Sequence, residues 1–260
     1  MKHSHRAVLW SAAACGALSA LLAVAPASWV ASALATASGQ RIELAEARGN
    51  WRDGSALLVL RGGAHSEDAA LAPGRLSWHL GLGQLWRGRV QLQLFDAAIS
   101  PAPLQLGFAV RPSAWQLQLS SPWTATLPAA MLQGLGTPWN TLALQAQLNL
   151  NVRALDFGSA DGRLTLRGEV GLDALNVVSR LSQVAPLGSY RLQLHGEGAR
   201  ATVRLSTVSG ALQLSGDGLW NGHQWHFDGR GSAAPERAAE LASLLGLLGQ
   251  PAGDHVRINL

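Results

Sequence analysis

The chain has 260 residues, of which 48% are hydrophobic and only 14% charged, against roughly 25% charged in an average soluble protein. That balance excludes intrinsic disorder, which needs low hydrophobicity and high net charge. The net charge of +4 does not make a nucleic-acid surface: Lys2 is the only lysine and the arginines are scattered singly from Arg41 to Arg257, with no run to neutralise a row of phosphates.

Lys2 and Arg6 precede an uncharged stretch that continues to Gln40, almost wholly apolar through residue 25. About 20 apolar residues cross a bilayer, and basic residues ahead with none soon after put the N-terminus in the cytoplasm. The pattern therefore predicts a short cytoplasmic N-terminus (1–6), a transmembrane anchor (7–34) with Trp10 and Trp29 at the two interfaces, and an exported domain (35–260). A cleaved signal peptide ending at Ala23-Val24-Ala25 or Ala25-Pro26-Ala27 is the alternative. Cys15 is the only cysteine, so it reads as an inert thiol in the anchor, and the exported part must fold without an internal disulfide.

From Arg41 onward the period is two. Val90, Leu92 and Leu94 alternate with Gln91 and Gln93, and Trp115, Leu117 and Leu119 with Gln116 and Gln118. The same alternation runs through Leu142–Val152, Tyr190–Leu194 and Ala201–Leu205, which predicts a curved antiparallel sheet with one dry face. Asp161-Gly162 predicts a two-residue hairpin turn, setting Phe157 opposite Leu166 and Asp156 opposite Arg167. Apolar parity is even through Val152 and odd from Leu155, which predicts a bulge near Arg153 and Ala154. Asn221-Gly222 predicts a second such turn, pairing Trp220 with His223, Gly218 with Trp225, Gly216 with Phe227 and Asp217 with His226.

Three stretches read as short helices: 128–135, 172–184 and 235–248. In the second, Leu172, Leu175, Val178 and Leu181 recur about one turn apart; in the third, Pro235 and Glu236 suit a first turn and Gly249 a stop. The fold class is thus mainly β, with an N-terminal transmembrane helix, a curved antiparallel sheet and two or three short helices.

No catalytic constellation emerges. His223 and His226 are three apart and on a strand face opposite ways, so they do not chelate one ion together. His226 with Asp228, Glu67 with Asp68, and Glu43 with Glu46 read as ordinary solvated or cross-strand groups, and nothing in the spacing favours a catalytic pocket joining His195, His223 or His226 with a carboxylate. Gly216-x-Gly218 sits in a strand-like run rather than before a helix, so it is no dinucleotide fingerprint. Catalytic, metal and cofactor sites are therefore expected to be absent. Most of the ten tryptophans alternate with polar residues on strands and read as core.

Gly49-Asn50-Trp51-Arg52-Asp53-Gly54, Pro73-Gly74-Arg75-Leu76-Ser77-Trp78 and Gly88-Arg89 form one block of motifs. Gly188-Ser189-Tyr190, then Gly210 to Gly216, then Trp220, Trp225, Phe227 and Gly229, and finally Leu244-Leu245 and Leu248-Gly249 form a second. With the N-terminal anchor, these blocks resemble the type II secretion system protein N family, also called general secretion pathway protein N. The resemblance implies a single-pass inner-membrane protein with a periplasmic β-rich domain that assists export of folded proteins across the outer membrane. It implies contacts with inner-membrane platform proteins and with the outer-membrane secretin, and no catalytic residues. Docking through sheet edges or exposed Trp and Leu is the expected mode. An envelope lipid-binding protein with an apolar β-groove is the alternative; helices plugging the apolar face would exclude it.

Overall fold

The structure is a computed structural model that describes residues 25–259 except 161, 223 and 254. Helix α1 (Ala27–Ala37) is followed by seven strands: β1 (Ile42–Gly49), β2 (Asp53–Arg61), β3 (Ala69–Gly81), β4 (Arg89–Phe95), β5 (Leu104–Arg111), β6 (Ala114–Leu119) and β7 (Trp123–Pro128). A 3-10 segment (Ala129–Leu135) and helix α2 (Trp139–Leu142) lead into β8 (Gln145–Ala160) and β9 (Arg163–Val178). The chain continues through β10 (Gly188–Gly198), β11 (Arg200–Gly210), β12 (Leu212–Trp220), β13 (Trp225–Ala233), helix α3 (Ala238–Leu248), β14 (Gln250–Ala252) and β15 (His255–Asn259). All fifteen strands join one antiparallel sheet, ordered β1 to β6, then β8 to β13, then β15 and β14, with β7 paired to β8. Sequence neighbours pair almost throughout, as the runs of alternating residues and short turns dictate.

The Asp161-Gly162 hairpin has the expected register, with Phe157 opposite Leu166 and Asp156 opposite Arg167. The bulge also falls where the parity changes, between Val152 and Ala154. Its purpose is visible in the pairing: residues 147–152 of β8 carry β7, and residues 156–160 carry β6. Opposite the bulge, Gly168 has φ +131°, and a Cβ there would lie 2.1 Å from the Ala154 carbonyl oxygen, so no other residue fits without strain.

Two expectations are corrected. Asn221-Gly222 is not a two-residue turn. A four-residue loop, 221–224, pairs Trp220 with Trp225, Gly218 with Phe227 and Asp217 with Asp228; the Asn221 Oδ1 accepts the Gln224 N–H at 2.9 Å. This shift of two keeps every side chain on its face, and the Phe227 ring still covers Gly216 and Gly218. His223, one partner of the expected pairing, lies outside the described residues.

The helix expected at 172–184 is absent. Strand β9 runs to Val178, and Asn176 takes the left-handed conformation (φ +52°) where the register slips against both neighbours. The extra residue turns a spacing of two into three between Leu175 and Val178, which reads as a helical period in sequence, although Leu172 lies on the opposite face of the strand. The other two helical expectations hold: Ala129–Leu135 is a 3-10 segment, and a 3-10 turn at Pro235–Arg237 opens α3, which ends at Gly249.

Two apolar cores lie on the dry side. In the larger, Leu241 and Leu244 of α3 pack onto Val177, Tyr190 and Leu212, closed by Val184 and Leu187 from the 179–187 loop. In the smaller, Ala27, Val30, Ala31 and Leu34 of α1 pack on Leu44, Ala56 and Trp78. Gly54 makes that contact possible, since a Cβ there would lie 2.3 Å from the Trp78 ring. Each fully buried leucine stabilises the fold by about 1.5–3 kcal/mol.

Among the described residues no helix is long and apolar enough to cross a membrane. Most of the expected anchor, residues 7–24, lies outside them. Its last part forms α1, with Ala27 buried and Trp29 about half exposed.

Candidate docking surface

The side of the sheet opposite α3 is concave and carries charged side chains among apolar ones such as Leu219. Residues of β8 to β13 and β15 line an open trough of about 1370 Å3. Antiparallel pairing brings oppositely charged side chains from neighbouring strands together there. The Arg191 guanidinium donates twice to the Asp173 carboxylate, at 2.6 and 3.1 Å; this hydrogen bonding, reinforced by the carboxylate's charge, raises the arginine above its ordinary pKa. Arg204 donates to Asp217 at 3.1 Å, and Arg153 to Glu169 at 3.1 Å. His195 stands between two carboxylates, 3.7 Å from Glu169 and 3.1 Å from Glu197.

These groups are open to water, so the trough presents paired charges at its surface and does not desolvate a reacting group. Among the described residues no three His, Cys, Asp or Glu side chains gather at metal-holding distance. His226 and Asp228 do share the trough, as their spacing required, but with the shifted register Asp228 faces Asp217 and His226 faces Leu219.

The other carboxylate clusters are structural. Glu43 holds Arg61 at 2.5 Å, and Glu46 holds Arg75 at 2.6 Å. Asp68 accepts from Asn140 at 2.8 Å and ties α2 to the β2–β3 loop, while Glu67 makes no salt bridge with a described residue.

Sheet edges are poorly suited to strand addition. β14 has three residues and contains Pro251, and β1 is bulged between Ala45 and Arg48, both devices that blunt an edge. Among the described residues four tryptophans are exposed rather than core: Trp29, Trp86, Trp139 and Trp225. The sequence motifs, by contrast, are architecture. Asn50 Oδ1 accepts the Arg52 and Asp53 N–H groups at 2.9 and 2.7 Å to form the β1–β2 turn, and the Trp78 indole donates to the Trp51 carbonyl at 3.2 Å. Tyr190 donates its hydroxyl to the Leu212 carbonyl at 3.0 Å. Cross-strand pairs such as Arg191–Asp173 were missed in the sequence; the polar parity of each strand signals them only once strand order is known.

A family model described as type II secretion system (T2SS), protein N matches residues 40–259, nearly the whole of the described sheet. The chain belongs to the type II secretion system protein N family. No curated protein and no solved structure matches it. As a type II secretion component it serves protein transport in the cell envelope, in the company of other proteins of that machinery. Against the apolar groove expected of a lipid-binding protein, α3 and the 179–187 loop cover the dry face where Val177, Tyr190 and Leu212 lie, and the opposite face carries the charged trough.

Proposed function

We propose that this protein N chain is a non-catalytic docking component of the type II secretion system, held at the inner membrane and presenting its sheet in the periplasm. The family match over residues 40–259 carries the reading. The apolar segment that begins at Ala7 supplies a single-pass anchor with its N-terminus in the cytoplasm. Residues 7–24, ahead of the point where the chain joins the sheet, would extend about 27 Å as a helix, close to the hydrocarbon thickness of a bilayer. The trough on β8 to β13 receives charged segments of platform proteins or of the secretin, and the two-signed arrangement of Arg191, Arg204, Asp173 and Asp217 supplies register.

The test is the location of folded extracellular hydrolases, periplasm or medium, in cells lacking the protein, in restored cells, and in cells restored with Arg191→Glu/Arg204→Glu. Periplasmic accumulation cured by the native chain but not by the double variant, at equal protein level, is expected. Normal export together with a leaky outer membrane in the deletion strain would overturn the secretion role. Full rescue by the double variant would remove the trough from it.

A further inference from the structure

At one end of the sheet the hairpin turns collect exposed apolar and cationic side chains. The β3–β4 loop carries Leu85, 56% exposed, and Trp86, 77% exposed, with the Arg87 guanidinium 4.2 Å above the indole. Neighbouring turns are bound to it. The Arg52 carbonyl accepts the Leu80 N–H at 2.7 Å, and the Val110 N–H donates to the Gly88 carbonyl at 3.0 Å. Val110, itself 53% exposed, continues this apolar edge, and Arg111 and Ala160 both pair with Ala114, which extends it to the β8–β9 hairpin.

Arg52, Arg87, Arg89, Arg111 and Arg163 stand in or beside these turns, against the two carboxylates of Asp53 and Asp161 in the same stretches of sequence. The loops at the opposite end have Glu67, Asp68, Asp96, Glu236 and Glu240 in or beside them, against Arg41, Arg61, Arg180 and Arg237.

The chain enters the sheet at this cationic end. The Ala25 carbonyl accepts the Trp51 N–H at 3.0 Å, and Pro26 bridges to Asn50. The 24 preceding residues are therefore attached beside the β1–β2 turn. Resting on the anchor reading above, we infer that this end of the sheet lies on the inner-membrane surface, with Leu85 and Trp86 at headgroup depth and the arginines against anionic lipid. Tryptophan favours the interface, and each arginine near an anionic surface draws the domain toward it.

The experiment uses the full chain with Cys15→Ser, carrying a nitroxide at Gln84→Cys beside Trp86 or, as control, at Ala239→Cys on α3 at the far end. The protein is reconstituted into vesicles of phosphatidylethanolamine and phosphatidylglycerol, floated, and probed for accessibility to a water-soluble paramagnetic nickel complex. The label at 84 is expected to be several-fold less accessible than the label at 239. Each of Arg87→Gln, Arg89→Gln and Arg111→Gln is expected to lower the bound-to-free ratio of this end about fivefold, and replacement of the anionic lipid by phosphatidylcholine, which removes all three contributions, by roughly a hundredfold. Equal accessibility at 84 and 239 in floated vesicles overturns the inference, leaves the anchor standing and assigns the exposed edge to a protein partner. Failure of the chain to float with the vesicles overturns both.

Discussion

Leu241 is the keystone of the seal over the dry face, and its truncation to alanine tests whether that face is closed. The side chain is fully buried, at 0% exposure, among Leu244, Val177, Val184, Leu187, Tyr190 and Leu212. Leucine-to-alanine changes in cores cost about 2–5 kcal/mol, and the spread reflects how far the walls collapse. Here the walls are tied down: Leu187 N–H donates to the Val177 carbonyl at 2.7 Å, Leu212 N–H to the Leu187 carbonyl at 2.9 Å, and the Tyr190 hydroxyl to the Leu212 carbonyl at 3.0 Å. Collapse is restricted, so a loss of about 4 kcal/mol is expected. In a domain of this size that lowers Tm by roughly 8–16 °C. The assay is thermal unfolding followed by circular dichroism on the full chain in detergent, beside Leu247→Ala, a change on the same helix at a residue 70% exposed. The control is expected to move stability by less than about 0.5 kcal/mol. If Leu241→Ala lowers Tm no further than Leu247→Ala, the helix is not seated, the dry face is open, and a lipid groove regains its place.

Tyr190 is the only tyrosine, so phenolate absorbance reports on it alone. Burial pushes its pKa well above the ordinary value, which means the folded state holds a proton that the unfolded chain releases near pH 10. The associated stability is complete below that pH and is lost as pH rises through the folded pKa. Absorbance is expected to stay flat through pH 10 in the native chain and to titrate normally in denaturant; coincident curves would show the hydroxyl to be solvated. Gly168→Ala places a Cβ against the Ala154 carbonyl at a positive φ and is expected to cost about 2 kcal/mol or more, measured as a lower urea midpoint. A change below about 0.5 kcal/mol would mean that the bulge relaxes.

What was legible in the sequence was whatever alternation and turn chemistry decide locally. The parity change at Val152 and Leu155 located the bulge because one face of β8 carries the apolar residues along its length, and an inserted residue keeps them on that face. The same logic could not tell the two-residue turn from the four-residue loop at Asn221. Moving the pairing by two leaves both faces as they were, and the choice rests on hydrogen bonds within the loop, such as Gln224 N–H to Asn221 Oδ1. The false helix at 172–184 has a comparable cause. A left-handed Asn176 inserts one residue into a strand, and a spacing of three in the sequence does not say whether a helix or a bulge produced it. The trough was illegible for another reason: Asp173 and Arg191, or Arg204 and Asp217, become neighbours only when strand order is known.

The division of the sheet into a sealed face and a charged one bears on what the charges are for. Ion pairs as exposed as Arg204–Asp217, with side chains 72% and 77% accessible, contribute about 0–1 kcal/mol each, so the fold does not depend on them. Stability resides across the sheet, in Leu241, Leu212 and Tyr190. A partner that brings its own carboxylates and guanidinium groups into the trough can exchange pairs with Arg191, Asp173, Arg204 and Asp217 at little cost to the domain. Such exchange gives a contact that is specific in register yet weak enough to release, because charge complementarity governs selection and rate of encounter more than affinity. A transport machine that must let cargo pass between its parts needs contacts of that kind, whereas the apolar edge around Leu85 and Trp86, on the proposal that it rests on a membrane beside an anchor, has no such requirement to let go.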